Sequence, residues 1–269
     1  MRTIAITSGK GGVGKTNIAA NLGILFAERG KRTVVFDADL GLANLDVVMG
    51  VRAPFTLQHV VTGEKSLLEV VCEGPRGVRF IAGGSGIEDL LNLTGPQLEG
   101  FLSELEGLTK TTDILIFDTG AGIDDKVMTF LRAADETLLI TTPDPASVTD
   151  AYATAKLLFM VKPDAIVRVL MNMVIDEAHA HAVFAKLNAI CRQFSGKSMF
   201  YAGHVRHDPQ MAFYIRKRVP FYGAQPRLKA SMDLANVASR LMGEVPEPQE
   251  SGLAERLRAL FGFGLKKSA

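Results

Sequence analysis

The order of the chain predicts an α/β fold, doubly wound, with a mainly parallel sheet and helices on both faces. Short β-rich runs alternate with helical stretches from end to end. Several runs, such as Ile114-Leu-Ile-Phe117 and Leu138-Leu-Ile140, are apolar throughout instead of alternating, the mark of strands buried on both faces. Between the first strand and the first helix lies Gly9-Lys-Gly-Gly-Val-Gly-Lys-Thr16, which fits the phosphate-binding pattern G-x-x-x-x-G-K-[ST].

Strands are expected at Thr3–Thr7, Thr33–Asp37, Val78–Ala82, Asp113–Asp118, Glu136–Thr141 and Ile166–Asn172. Helical patterns lie between them at Asn17–Arg29, Pro96–Leu108, Lys126–Ala133 and Ser147–Val161. The stretch Gly243-Glu-Val-Pro-Glu-Pro-Gln-Glu-Ser-Gly252 cannot continue a helix. The expected organisation is a nucleotide-binding domain over 1–243, a linker over 244–252 and a separate element over 253–269.

Composition bounds the function. The chain has 269 residues, 47% hydrophobic and 22% charged, as in a soluble globular protein with a substantial core. A net charge of +1 provides no global field toward nucleic acid or an anionic surface. Cys72 and Cys191 stand far apart and in no CxxC arrangement, so reduced thiols in a cytoplasmic protein are expected. The first residues enter a strand directly, without the regions of a signal peptide. No apolar stretch approaches the ~20 residues of a spanning helix, so any membrane contact is peripheral.

In the phosphate-binding loop, Gly9, Gly11, Gly12 and Gly14, with Val13, let backbone N–H groups turn around phosphate oxygens, and the helix N-terminus adds its positive end. Lys15 is placed to neutralise charge between the β- and γ-phosphates, and Thr16 to offer a hydroxyl to Mg²⁺. Hydrolysis needs further groups around the γ-phosphate. Asp118 closes an apolar strand, the Walker B pattern, and is expected to hold Mg²⁺. The following Thr119-Gly-Ala-Gly122 reads as a switch segment. Asp37 and Asp39 lie at the end of another strand, in Phe36-Asp-Ala-Asp-Leu-Gly-Leu-Ala-Asn44. Each of these acids also has a plainer reading as a helix cap or turn residue.

The form Lys10-Gly-Gly-Val-Gly-Lys15-Thr resembles the deviant Walker A motif of the MinD/ParA family of P-loop ATPases (SIMIBI/MinD-like). Asp37-Ala-Asp-Leu-Gly-Leu-Ala-Asn-Leu-Asp-Val-Val-Met-Gly50, Asp118-Thr-Gly-Ala-Gly122 and Asn17 are similar to its flagellar-number-regulator branch, FlhG/FleN/YlxH. The resemblance implies an Mg²⁺-dependent ATPase that dimerises when ATP-bound. It implies that Lys10 reaches the nucleotide of the other subunit. It assigns Asp39 to orient the attacking water, Asp37 to the metal shell, and Asn172 to the adenine edge. Gly203-His-Val-Arg-His-Asp-Pro209 takes the place of a loop closing over the base, which puts Arg206 and Asp208 beside the nucleotide. Implied partners are a flagellar signal-recognition-type (FlhF-type) GTPase, C-ring components or a flagellar transcription regulator. Such members often carry an N-terminal extension that stimulates the GTPase, and none is expected before Thr3.

After the linker, Leu253, Leu257, Leu260 and Phe261 fall on one helical face, with Arg256, Arg258, Lys266 and Lys267 beside or opposite it. This is the pattern of an interfacial amphipathic helix, and its small size makes its affinity marginal alone. The competing reading is a helix packed on the domain or on a partner. A dimer would carry two such feet, making attachment at the inner face of the cytoplasmic membrane depend on ATP.

His179 and His181, at i and i+2, read as a solvated helix start instead of a metal site. Arg216-Lys-Arg218 reads as a solvated helix end, and nucleic acid is not expected as a partner. Alternative functions are septum-site placement and, disfavoured by the charge balance, DNA partitioning. Metal-cluster transfer lacks its paired cysteines.

Overall fold

The computed structural model describes residues 1–39, 44–84, 86–93 and 95–244, without the side chains of residues 88, 91 and 98. Within them the chain runs β1 (Arg2–Ser8), α1 (Lys15–Glu28), β2 (Thr33–Ala38), α2 (Leu45–Met49), α3 (Leu57–Val61), β3 (Cys72–Glu73), β4 (Arg79–Ile81), α4 (Gly86–Leu91), α5 (Gly95–Thr111) and β5 (Ile114–Ala121). It continues through α6 (Asp125–Ala133), β6 (Glu136–Thr141), α7 (Pro145–Val161), β7 (Ile166–Val174), α8 (Glu177–Ser195), β8 (Phe200–Arg206), α9 (Met211–Arg216), α10 (Phe221–Ala224) and α11 (Lys229–Leu241).

The strands form one sheet in the order β3-β4-β2-β5-β1-β6-β7-β8. All pairings are parallel except β3 with β4. Side chains alternate across the sheet, so Ile4 and Ile6 of β1 enter one core with α1 and α11, while Ala5 enters another with α6, α7 and α8. Burial on both faces is why these strands read as continuous apolar runs. Burying each isoleucine stabilises the fold by about 2 kcal/mol relative to its exposure. A third cluster around Phe36, Leu57, Ile81 and Leu115 closes the β2–β4 end under α3 and α5.

Two expectations need correction. Asp118 does not end its strand, because β5 continues to Ala121 and pairs with Ser8 past a register shift. Most of the expected switch segment is therefore sheet. Gly203–Arg206 is not a loop but the second half of edge strand β8. That strand is hard to read because Gly203 adopts φ 135 and β8 is bulged against β7. His179 and His181 lie near the start of α8, His179 half-buried and His181 exposed, with the His181 ring 4.2 Å from that of Tyr201.

Among the described residues no helix is long and apolar enough to cross a membrane. Residues 245–269, with most of the expected linker and with Leu253, Leu257, Leu260 and Phe261, lie outside the described residues.

Candidate nucleotide site

The site is built where β1, β2 and β5 end side by side. Beyond β1 the chain turns through Gly9–Gly14 into α1, whose N-terminus has no side-chain cap. Its first backbone N–H groups therefore face outward as a ready anion site. Gly14, the residue at that end, has φ 96, and a Cβ there would stand 2.8 Å from Asn172 Nδ2. At Gly9 a Cβ would fall 2.3 Å from the Asp150 carbonyl carbon, so the loop can approach α7 only as glycine. Ser8 Oγ donates to the Lys10 carbonyl at 2.7 Å and the Gly122 amide donates to the Ser8 carbonyl at 2.9 Å, tying the loop to the end of β5.

Lys15 is buried at the start of α1. Desolvation lowers its pKa, while the charges of Asp118 and Asp39 work in the opposite direction. Asp37 and Asp118 are register partners on adjacent strands. Burial, reinforced by Asp37, pushes the Asp118 carboxyl up to about 8, against smaller lowering effects of Thr16 and Lys15. The Thr16 hydroxyl lies near, yet neither Asp118 oxygen has a hydrogen-bond partner. A buried carboxylate with both oxygens unsatisfied, beside a hydroxyl and a lysine, fits a divalent cation and a phosphate. Thr16 and Asp118 would hold Mg²⁺ there, which supplies positive charge to the phosphate oxygens.

Asp37, expected in the metal shell, also has a backbone role. Its oxygens accept the Asp39 amide at 3.2 Å and the Leu45 amide at 3.1 Å. Burial still raises it to about 7, against those backbone hydrogen bonds. Asp37 thus anchors both ends of the segment leading from β2 to α2. Asp39 stands next to the end of β5, its Oδ1 3.3 Å from where a Cβ on Gly120 would be.

Lys10 is exposed and directed back onto its own subunit, its Nζ 2.9 Å from Asp144 Oδ2. The hydrogen bond and charge of Asp144 raise its pKa. Asp144 also caps α7 by accepting the Ser147 amide.

A cavity of about 220 Å³ adjoins the loop between α1, the ends of β7 and β8, and α9. Asn17, Asn172, Met173, Arg206, Asp208 and Ile215 are among its lining residues. Asn172 Nδ2 donates to the Val13 carbonyl at 2.7 Å, and its Oδ1 accepts the Met173 amide at 2.9 Å. The side chain thereby joins the phosphate loop to the cavity wall. The Arg206 guanidinium is held by both oxygens of Asp233, through Nε at 2.8 Å and Nη2 at 2.7 Å. Asp208 accepts the Gln210 amide at 2.9 Å, leading into α9. A larger cavity of about 390 Å³ lies between α8 and α11, lined by His204, Arg206, Asp233 and Arg240, away from the loop glycines. The smaller cavity is the one continuous with the phosphate cradle.

Comparison with known proteins decides the family. The ParA model, described as NUBPL iron-transfer P-loop NTPase, matches residues 1–242. The chain is a P-loop ATPase of the ParA/MinD family. It is 39% identical over 241 residues to antiactivator FleN of Pseudomonas aeruginosa, covering 90% of this chain and 86% of that protein. It is 36% identical over 265 residues to the flagellum site-determining protein YlxH of Helicobacter pylori, covering 98% and 89%. The fold is that of septum site-determining protein MinD of Pyrococcus horikoshii, solved with Mg-ADP, at TM-score 0.71, 23% identity and coverage of 89% and 95%. The two cysteines of this ATPase are buried in separate cores, Cys72 with α1 and Cys191 with α7 and α8.

Sequence reasoning missed Asn21. It is wholly buried in α1, its Nδ2 donating to the Asn17 carbonyl at 2.7 Å and its Oδ1 accepting the Tyr222 amide at 2.8 Å. No local pattern marks it, because its partner lies 201 residues away.

Proposed function

We propose that this ATPase is an ATP-dependent, dimerising, membrane-associating switch that controls the number or placement of flagella. Lys10 carries the switch reading. It is an exposed cation at the rim of the phosphate cradle, paired with a half-exposed carboxylate of its own chain. Such a surface pair is worth little and is readily exchanged. The phosphate of a nucleotide in a second copy is a stronger counter-charge, so ATP would draw two copies together. Within each copy Lys15 neutralises phosphate charge, Thr16 and Asp118 hold the metal, and Asp39 orients the attacking water. Asp37 keeps Asp39 in place. Asn172, Arg206 and Asp208 border the base. Similarity over most of the chain to FleN and YlxH supports the flagellar setting. The tail at 253–269 supplies the membrane contact. A flagellar GTPase, C-ring components or a flagellar transcription regulator are the partners this setting implies.

Microscopy of cells lacking the gene tests the setting. Extra or misplaced flagella with normal septa are expected. Minicells with normal flagella would move the protein to septum placement. In solution, Lys10→Ala should retain nucleotide binding and lose ATP-dependent dimerisation, and Asp39→Ala should bind ATP without turnover. A fully active Asp39→Ala protein would remove that residue from the mechanism.

A further inference from the structure

The sequence placed Arg216-Lys-Arg218 at a helix end, and the fold brings a fourth cation to them. Arg52, which follows α2, lines with Lys217 and Arg218 an open depression of about 520 Å³. All four cations are exposed, and none forms an ion pair among the described residues. Asp46 is the one acid lining the depression, and its Oδ1 is occupied by the Val47 amide at 2.7 Å. Apolar side chains stand beside the cations, with Val47 41%, Phe213 51% and Val219 42% exposed. The arrangement is stiff. Arg218 takes a left-handed φ of 54, and its carbonyl oxygen lies 2.5 Å from where a Cβ on Gly50 would be. Only glycine at the end of α2 allows the two segments to meet so closely.

We infer that this face, made by the ends of α2 and α9, is a second membrane contact that binds the anionic lipid surface in addition to the contact proposed for the tail. The inference rests on the membrane reading above and deepens it. Four apolar residues on a short helix give only marginal attachment, and stable attachment generally takes two signals, one of them a basic patch. Cations interleaved with exposed apolar groups suit the headgroup layer, where charge meets phosphate and Phe213 and Val219 enter the acyl boundary. The face is also joined to the nucleotide site. Met211, Ala212 and Ile215 of α9 line the cavity beside the phosphate loop, so a bound nucleotide packs against the helix that carries the patch.

Sedimentation of the full chain with Mg-ATP tests this, using vesicles of phosphatidylcholine alone and with phosphatidylglycerol admixed. Arg216→Glu/Lys217→Glu should keep ATP binding and lose roughly tenfold or more in partitioning onto the anionic vesicles. Arg216→Lys/Lys217→Arg should partition as the parent does. Added salt should weaken the parent more than the charge-reversed variant. Equal partitioning of parent and charge-reversed variant would overturn the second contact and leave the tail reading standing. A parent that ignores anionic vesicles would overturn both. Loss of binding to a DNA duplex, with vesicle binding unchanged, would overturn the proposal and give the face to nucleic acid.

Discussion

The two halves of the nucleotide site are built in opposite ways. The phosphate half comes from one continuous octapeptide and the ends of three neighbouring strands, and its work is done by backbone amides and buried charge. The half proposed to take the base is assembled from α1, the ends of β7 and β8, and α9, is joined to the phosphate loop by Asn172, and has α1 tied to α10 by Asn21. Charge recognition therefore concentrates in a local motif, while shape recognition is spread over long-range contacts. Substitutions should cost far more affinity in the first half than in the second.

The largest effect is expected from Lys15→Ala. Removing a desolvated cation from the cradle should lower ATP affinity by at least about a hundredfold, ~3 kcal/mol, in calorimetric titration. Asp118→Asn sharpens the contrast by separating function from stability. Turnover should fall by about a hundredfold or more, the scale of losing one electrostatic stabiliser. The nucleotide-free fold should respond in the other direction. Asp118 is raised from 3.8 to about 8, so its contribution is favourable below pH 3.8 and is lost as pH rises toward 8. At pH 8 the variant should gain on the order of 1–2 kcal/mol, seen as a melting temperature higher by a few degrees.

Asn172→Ala lies on the seam between the halves. Losing its hydrogen bond to the Val13 carbonyl should weaken ATP by roughly tenfold and inorganic triphosphate by much less. Equal losses for both ligands would show that Asn172 acts on the phosphate loop alone. Asn21→Leu should be mildest, raising the KM for ATP a few-fold, on the order of 1 kcal/mol, with kcat nearly unchanged. A fall in kcat would place Asn21 in the phosphate half and break the comparison.

This division also explains what was legible in the sequence. The central strands, α1 and the loop could be read because burial on two faces and phosphate binding each impose a short-range pattern. Asp118 was singled out from its motif, but the run of β5 three residues past it to Ala121 was not legible, since pairing with Ser8 is a tertiary fact. Strand β8 was read as a loop because Gly203 and a bulge disrupt its pattern. The backbone role of Asp37 was not legible, since only the folded chain shows its oxygens accepting the amides of Asp39 and Leu45. Asp144 gave no signal as the partner of Lys10, because that contact spans 134 residues, although its cap on α7 is local.

The strand order has a consequence for the birth of the molecule. Strand β1 is synthesised first yet lies in the middle of the sheet, flanked by β5 and β6, whose residues begin at 114 and 136. The emerging chain therefore carries its phosphate motif from the outset without the neighbours that shape it. Asn21 must wait longer still, for Tyr222, and Arg2 for the Leu241 carbonyl. A ribosome stalled before residue 222 would hold a chain with every residue that lines the cavity but without the Tyr222 contact that secures α1. A ligand that binds only the folded site therefore stabilises the chain once these late contacts have formed.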